Sequence, residues 1–286
     1  MYSRRKWAGV LFSAPLMLGF FLFYVLPFGQ IVWDSFSAGA GKNLTFVGLE
    51  NYITLLHSNT FRLALINSLA FLGAGLPTIL VLSYALALFF EKYAQHFALV
   101  RSILLLPYVM PVVGTVLLVD LLFSREGLLN GALMALGFPI ADWLQSPTAF
   151  WVMLLLYLWK SSGYSIVLLL AGLMAIPATQ YDVAQVEGAS QWQVFRFITM
   201  PQMWYALFIA FVFSLLNAFQ SFREIFLVGG EHPHPSVYML QHFIHNSFSN
   251  LSYRQLSVAS MLLFLLVTLV LGSLYLWVRK KEATRW

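Results

Sequence analysis

Six long apolar stretches, near residues 9 to 33, 64 to 90, 102 to 123, 149 to 173, 202 to 222 and 256 to 278, constrain this chain more than any other feature. A hydrocarbon core takes roughly 20 helical residues to cross, and each stretch is about that long or longer. Inside that layer no water is available to backbone N–H and C=O groups, so each stretch must close its own hydrogen bonds as a helix. Composition points the same way: 60% of residues are hydrophobic, 9% are charged and the mean hydropathy is +0.79, outside the range of soluble globular domains. The expected fold is an all-α integral membrane protein with six transmembrane helices. No composition shift or low-complexity linker divides the chain, so residues 1–286 are read as a single transmembrane domain.

Prolines are expected to bend or interrupt the first and third stretches. Pro15 and Pro27 fall in the first stretch and Pro107 and Pro111 in the third. Each removes a backbone donor, so these helices should bend and open carbonyls toward a cavity or a neighbouring helix. The first stretch follows a basic start but is too long for a signal sequence and lacks a small-residue cleavage site, so it is expected to be retained. The absence of cysteine excludes disulfides and thiolate metal sites.

Charge sets the orientation. With both termini inside, the inner face carries Arg4, Arg5, Lys6, Lys92, Arg101, Arg196, Arg279, Lys280, Lys281 and Arg285, ten of the sixteen Lys and Arg. The outer face carries Lys42, Arg62, Arg125, Arg223 and Arg254, and Lys160 falls within a span. The excess inside favours both ends in the cytoplasm of a multi-pass protein. The net charge of +5 is then a topology signal, and nucleic-acid binding is a poor account of it.

The stretch Pro177 to Pro201, PATQYDVAQVEGASQWQVFRFITMP, lies between two spans and holds polar side chains that a membrane core would exclude. It reads as two short helices. Thr179 is placed to cap the first, with Asp182 as its capping-box partner; Gly188 supplies a left-handed exit; Ser190 and Gln193 repeat the box. Tyr181 and Ala184 on the first helix, and Trp192, Phe195 and Ile198 on the second, give each an apolar face. Pro201 closes the second helix and starts the next span. With both termini inside, this stiff protrusion faces the cytoplasm.

These residues carry a resemblance. YDVAQVEGA followed by SQWQVFRFITMP is similar to the cytoplasmic coupling loop of permease subunits of binding-protein-dependent ABC importers, whose pattern is Glu-Ala-Ala, Gly-Ala, then Ile-x-Leu-Pro. Here Asp182, Val183 and Ala184 stand at the first three positions, Gly188 and Ala189 at the middle pair, and Ile198, Met200 and Pro201 at the end. The proline-bearing first helix, the GLENY segment at Gly48 to Tyr52 and the run RSILLLPYVMPVVGTVLL resemble the carbohydrate-uptake branch, closest to first subunits of the maltose and glycerol-phosphate type. The loop after the fifth helix departs from that branch, since Glu231 and His232 follow Gly229 and Gly230 where Pro is usual.

The resemblance implies a permease with no catalysis of its own. The coupling residues it marks are Asp182, Ala184, Glu187, Gly188, Ala189, Phe195, Ile198 and Pro201. It also implies a second, non-identical permease, two copies of an ATP-binding subunit carrying the ATP and Mg, an extracytoplasmic solute-binding protein, and a bacterial or archaeal cytoplasmic membrane. The missing phosphate-binding loop agrees, because no Gly-x-x-x-x-Gly-Lys run occurs in this chain.

The fifth stretch carries Asn217, Gln220, Ser221 and Glu224 every three or four residues, one polar stripe on an apolar helix. It is read as a wall of the solute path, against the alternative of hydrogen bonding between helices. Trp159 and Tyr164, beside Gly163 in the fourth stretch, are candidates for stacking on a sugar ring or for a simple interfacial belt. Lys160 between them either faces a wet cavity or snorkels to the headgroups. Arg223 and Glu224 are placed to pair at the outer mouth. Further expectations are a surface-lying segment from Ser124 to Pro147, and solvated Glu50 and Asn51. His232, His234, His242 and His245 are read as solvated loop histidines; a metal site among them, or a histidine-dependent intramembrane enzyme, is the rival reading. A standalone secondary transporter or channel is a further rival, but no inverted repeat is visible; within the resemblance, an ABC importer permease for a non-sugar solute is the alternative.

Overall fold

The computed structural model describes residues 12–39, 44–91 and 97–283. Arg4, Arg5, Lys6, Lys42, Lys92 and Arg285 of the orientation argument lie outside these residues, as do the side chains of Arg101 and Lys281. The chain begins with α1 (Phe12–Ser35) and a short antiparallel hairpin, β1 (Ser37–Ala38) with β2 (Thr45–Phe46), in which Ser37 faces Phe46. There follow α2 (Glu50–Leu56), α3 (Asn59–Glu91), α4 (Phe97–Val109), α5 (Val112–Phe123), α6 (Leu128–Ala135) and α7 (Ala149–Met174). After them come α8 (Ala178–Val186), α9 (Gln191–Val194), α10 (Trp204–Gln220), α11 (Phe222–Gly229), α12 (Leu240–Ser249) and α13 (Tyr253–Ala283).

Among the described residues five continuous helices are long and apolar enough to cross a membrane: Phe12–Ser35, Asn59–Glu91, Ala149–Met174, Trp204–Gly229 and Tyr253–Lys280. They match five of the six stretches read from sequence. The third is not one straight helix. Its two parts meet at 91° across a short break. Pro111 has extended ψ of 146°, and the Met110 N–H reaches only the Pro107 carbonyl, at 3.3 Å. Pro27 acts more gently: a π-helical turn, Phe21–Val25, precedes it, closed by the Leu26 N–H on the Phe21 carbonyl.

The described residues form two compact units, divided at Arg62/Leu63, His242/Phe243 and Val267/Thr268. In the unit holding α1, Asn51 is buried, contrary to the solvated turn expected for it; Glu50 is exposed. The Asn51 amide donates to the Ser35 and Ser37 carbonyls, at 3.0 and 2.9 Å, and Tyr52 donates to the Ser35 hydroxyl, at 2.8 Å. Asn51 thus satisfies backbone groups that the end of α1 leaves open. Phe28 packs edge-on against Phe264, and Phe61 against Phe243.

The other unit is organised by α7. One end joins a core with Phe71, Ile79, Val119, Ala218 and Ile225; the other joins Ala87, Met203 and Ala210. Tyr157 donates to the Ser214 carbonyl at 2.9 Å, and Ser165 and Ser214 share a hydroxyl bond at 3.2 Å, so α7 and α10 are tied by hydrogen bonds as well as packing. Small residues set the approach of the helices. A Cβ at Gly163 would fall 1.7 Å from the Leu104 carbonyl oxygen of α4, and one at Gly172 would fall 2.7 Å from Ala206 Cβ of α10. The segment after α5 holds a polar centre of its own: buried Asn130 donates to the Ser124, Arg125 and Ala141 carbonyls and accepts from Ala141 N–H and Trp143 Nε1.

Gly163→Ala should therefore lower stability by about 3 kcal/mol or prevent folding, because backbone rather than a flexible side chain blocks the methyl. Gly272→Ala, where an added methyl meets nothing within 4 Å, should unfold at or slightly above the wild-type temperature in detergent.

Candidate functional site

A cavity of about 240 Å³ opens within the α7 unit, lined by Tyr108, Met110, Pro111 and Val112 from the α4–α5 break, Lys160 and Ser161 from α7, and Asn217, Gln220, Ser221, Arg223 and Glu224 from the end of α10 and the start of α11. Two sequence features converge here. The 91° break replaces helix with an opening where a straight third span would have passed. The polar stripe then turns all four of its members toward that opening.

Lys160 resolves as a cavity residue, and its ammonium meets Glu224 Oε1 at 2.5 Å. The Glu224 side chain is 4% exposed and that of Lys160 16%, so the pair is largely shielded from water. This overturns the expected Arg223–Glu224 pair. Glu224 points inward, whereas Arg223 is exposed and its Nη2 donates to Gln220 Oε1 at 3.2 Å. Ser221 returns its hydroxyl to the Asn217 carbonyl at 3.0 Å. Two of the lining residues each have one buried polar atom with no hydrogen-bond partner among the described residues: Asn217 Nδ2 and Glu224 Oε2. An unmet buried group costs about 1–3 kcal/mol, so a ligand or water that met these atoms would bind with that advantage.

Trp159 and Tyr164 are not among the lining residues. Trp159 is exposed, and Tyr164 stacks on Tyr108 with ring centroids 5.1 Å apart, behind the cavity wall. The aromatic residue in the wall is Tyr108. Sequence reasoning missed it, although its place between Pro107 and Pro111 was the available signal.

The second site is the protrusion. Its first helix, α8, starts two residues earlier than capping by Thr179 predicts. Pro177 is the N-cap, in extended conformation, and no side chain caps the helix, so Thr179 lies within the first turn and its box with Asp182 does not form. Proline's fixed φ and the extended ψ of 128° start the helix without a side-chain acceptor. The exit is as expected. Gly188 takes φ +75°, its N–H bonds to Gln185 O at 3.0 Å, and the Ala189 N–H bonds to Ala184 O at 2.9 Å. That pair of bonds is a complete Schellman motif. Ser190 and Gln193 close their box at 2.7 and 3.3 Å. Pro201 does not end the second helix as expected. From α9 the chain continues through a π-helical turn, Phe195–Thr199, which accommodates the missing proline donor, and then Met200–Gln202.

Inward and outward faces of the protrusion differ. Ala184 is buried, Phe195 packs on Tyr84 of α3, Tyr181 bonds Thr199 at 3.2 Å, and Gln202 bonds Gln180 at 2.6 Å. Outward stand Asp182 and Glu187 with Val183, Val186, Trp192 and Phe197, Val186 being 89% exposed. Of the residues marked from sequence, Ala184 and Phe195 hold the protrusion in place, and the outward apolar surface comes from neighbours that were not marked.

The histidines do not act together. Among the described residues no three His, Cys, Asp or Glu side chains gather as a metal site. His242 is fully buried rather than solvated, because its Nδ1 accepts from the Met239 N–H at 3.2 Å and its ring packs between Phe222 and Tyr238. His234 accepts from the Ser236 N–H at 3.2 Å, and His232 is exposed.

Membrane-length helices around a polar cavity, with a stiff amphipathic protrusion on a connecting segment, define a membrane transport component. The family described as binding-protein-dependent transport system inner membrane component matches residues 45–283, and the chain belongs to it. The trehalose/maltose transport system permease protein MalF of Thermococcus litoralis is 30% identical, over 92% of this chain and 91% of that protein. The sulfoquinovosyl glycerol transport system permease protein SmoG of Agrobacterium fabrum is 31% identical, over 91% of this chain and 88% of that protein. A chain in the crystal structure of a bacterial ABC transporter involved in import of the acidic polysaccharide alginate has the same fold, with a TM-score of 0.82 and 23% identity over 97% of this chain and 96% of that one.

Lys160→Met should destabilise the protein by about 3–5 kcal/mol, since it leaves a buried carboxylate uncompensated. The double variant Lys160→Met/Glu224→Leu should recover much of that loss in thermal unfolding of the purified protein.

Proposed function

We infer that this chain is the permease subunit of an ATP-driven importer, forming half of a translocation path for a sugar or oligosaccharide delivered by a solute-binding protein. Near full-length similarity to the trehalose/maltose permease carries this reading. The cavity supports it, offering hydroxyl-matching groups (Asn217, Gln220, Ser221, Glu224) beside an aromatic face on Tyr108. The chain lacks a phosphate loop, so ATP and Mg belong to two copies of a partner ATP-binding subunit, and a second, non-identical permease completes the path. The excess of Lys and Arg on one side supports both termini and the protrusion facing the cytoplasm, in a bacterial or archaeal membrane.

The protrusion is the surface gripped by the ATP-binding subunit. Its outward valines, Trp192 and Phe197, rimmed by Asp182 and Glu187, are apolar side chains left exposed to water. Its inward side is locked to α3 through Phe195 and Tyr84 and is continuous with α7 and α10, between which it is strung. Those two helices also carry Lys160 and Asn217 of the cavity wall. A push on the protrusion therefore reaches the cavity through stiff elements, which alternating access requires.

Gly188→Asp tests this. The site has open space but φ of +75°, so the substitution strains the Schellman turn without a clash. In the reconstituted transporter, uptake should fall at least tenfold while ATP hydrolysis persists; undiminished uptake would refute the coupling role. Val186→Asp should reduce co-purification of the ATP-binding subunit without changing the unfolding temperature of this chain.

A further inference from the structure

We propose that the Lys160–Glu224 pair makes the cavity selective for uncharged, hydroxyl-bearing solutes over carboxylate-bearing ones, with Asn217 Nδ2 and Glu224 Oε2 as its two buried hydrogen-bonding ends. The proposal rests on the reading of this cavity as the solute's path.

Charge is the first argument. Three charged side chains line the cavity: Lys160, Glu224 and Arg223. The Lys160 ammonium is paired with Glu224 at 2.5 Å, so the two together offer a solute anion no net charge. Arg223 is exposed and engaged with Gln220, where water and salt weaken its pull on an anion. The buried part of the wall thus has no net charge.

Hydrogen-bond chemistry is the second. Glu224 Oε2 is buried and unmet, and an ionised carboxylate oxygen can only accept. A hydroxyl can donate to it; a solute carboxylate cannot, and would add like-charge repulsion where little water screens it. Asn217 Nδ2 is also buried and unmet, and it can only donate. The two residues are seven apart on a nearly continuous helical run, which places them roughly 10 Å apart along its axis. One end asks for a donor and the other for an acceptor. A hydroxyl serves at either, so a chain of linked, uncharged sugar rings meets both demands at once.

The test is equilibrium binding to the assembled transporter, purified with its ATP-binding subunits in nanodiscs and without solute-binding protein. The probes are a panel of neutral oligosaccharides and their C6-oxidised, carboxylate-bearing counterparts. The wild type should bind neutral members at least tenfold more tightly than their acidic counterparts. Glu224→Gln, which frees the Lys160 ammonium, should move that ratio at least tenfold toward the acids. Should Glu224→Gln fail to assemble, Lys160→Gln/Glu224→Gln removes both buried charges and should also narrow the ratio. Equal binding of neutral and acidic probes by the wild type, or an unchanged ratio in the assembled variants, would overturn the proposal while leaving the cavity as a sugar site. Binding of no probe from either panel would sink the sugar-path reading itself, and this inference with it.

Discussion

Proline cannot donate a backbone hydrogen bond, and in a waterless layer the carbonyl it leaves unmet must be accommodated by geometry. That constraint shapes the irregular points of this chain. Before Pro27 the helix widens by a π-helical turn, and before Pro201 it does so again. Between Pro107 and Pro111 the helix fails altogether and turns through 91°. The last case matters most, since Tyr108, Met110, Pro111 and Val112 of the break form one side of the polar cavity. Two backbone donors removed four residues apart thus create the space on which the transport reading depends.

The opposite side of that space is made by pairing a charge that could not otherwise remain. An ammonium in the middle of α7 is costly in an apolar layer, and Glu224 neutralises it across the cavity. The same pair joins α7 to α11, alongside the Tyr157–Ser214 and Ser165–Ser214 bonds that join α7 to α10. With α4 pressed against Gly163, α7 is fixed on several sides and serves as the rigid member from which both the cavity wall and the protrusion extend.

Local rules were readable where local geometry decides. Gly188 and the Ser190–Gln193 box follow from spacing alone, because each is closed by residues within five positions of one another. Thr179 misled for a related reason: a hydroxyl and a carboxylate at capping spacing were present, but Pro177 had already set the start of the helix. Asn51 and His242 look like solvated loop residues in sequence, yet each is buried by partners from a different element, Ser35 and Ser37 for one and Phe222 for the other. The split of the marked coupling residues between inward anchors and outward surface was likewise invisible, since a short helix shows its spacing but not which side faces the protein.

Hydrophobic length, missing donors and turn chemistry act along the chain, which is why the membrane fold, five of its spans, the proline-weakened third and the two-helix protrusion were legible from residue order. It took the packing of the helices to set that Lys160 meets Glu224 rather than the headgroups, that Tyr108 rather than Trp159 or Tyr164 lines the cavity, and that Asn217 and Glu224 each keep one buried atom unmet. Those outcomes depend on distances between helices that are far apart in sequence, and no periodicity along one helix encodes which neighbour its polar face will meet.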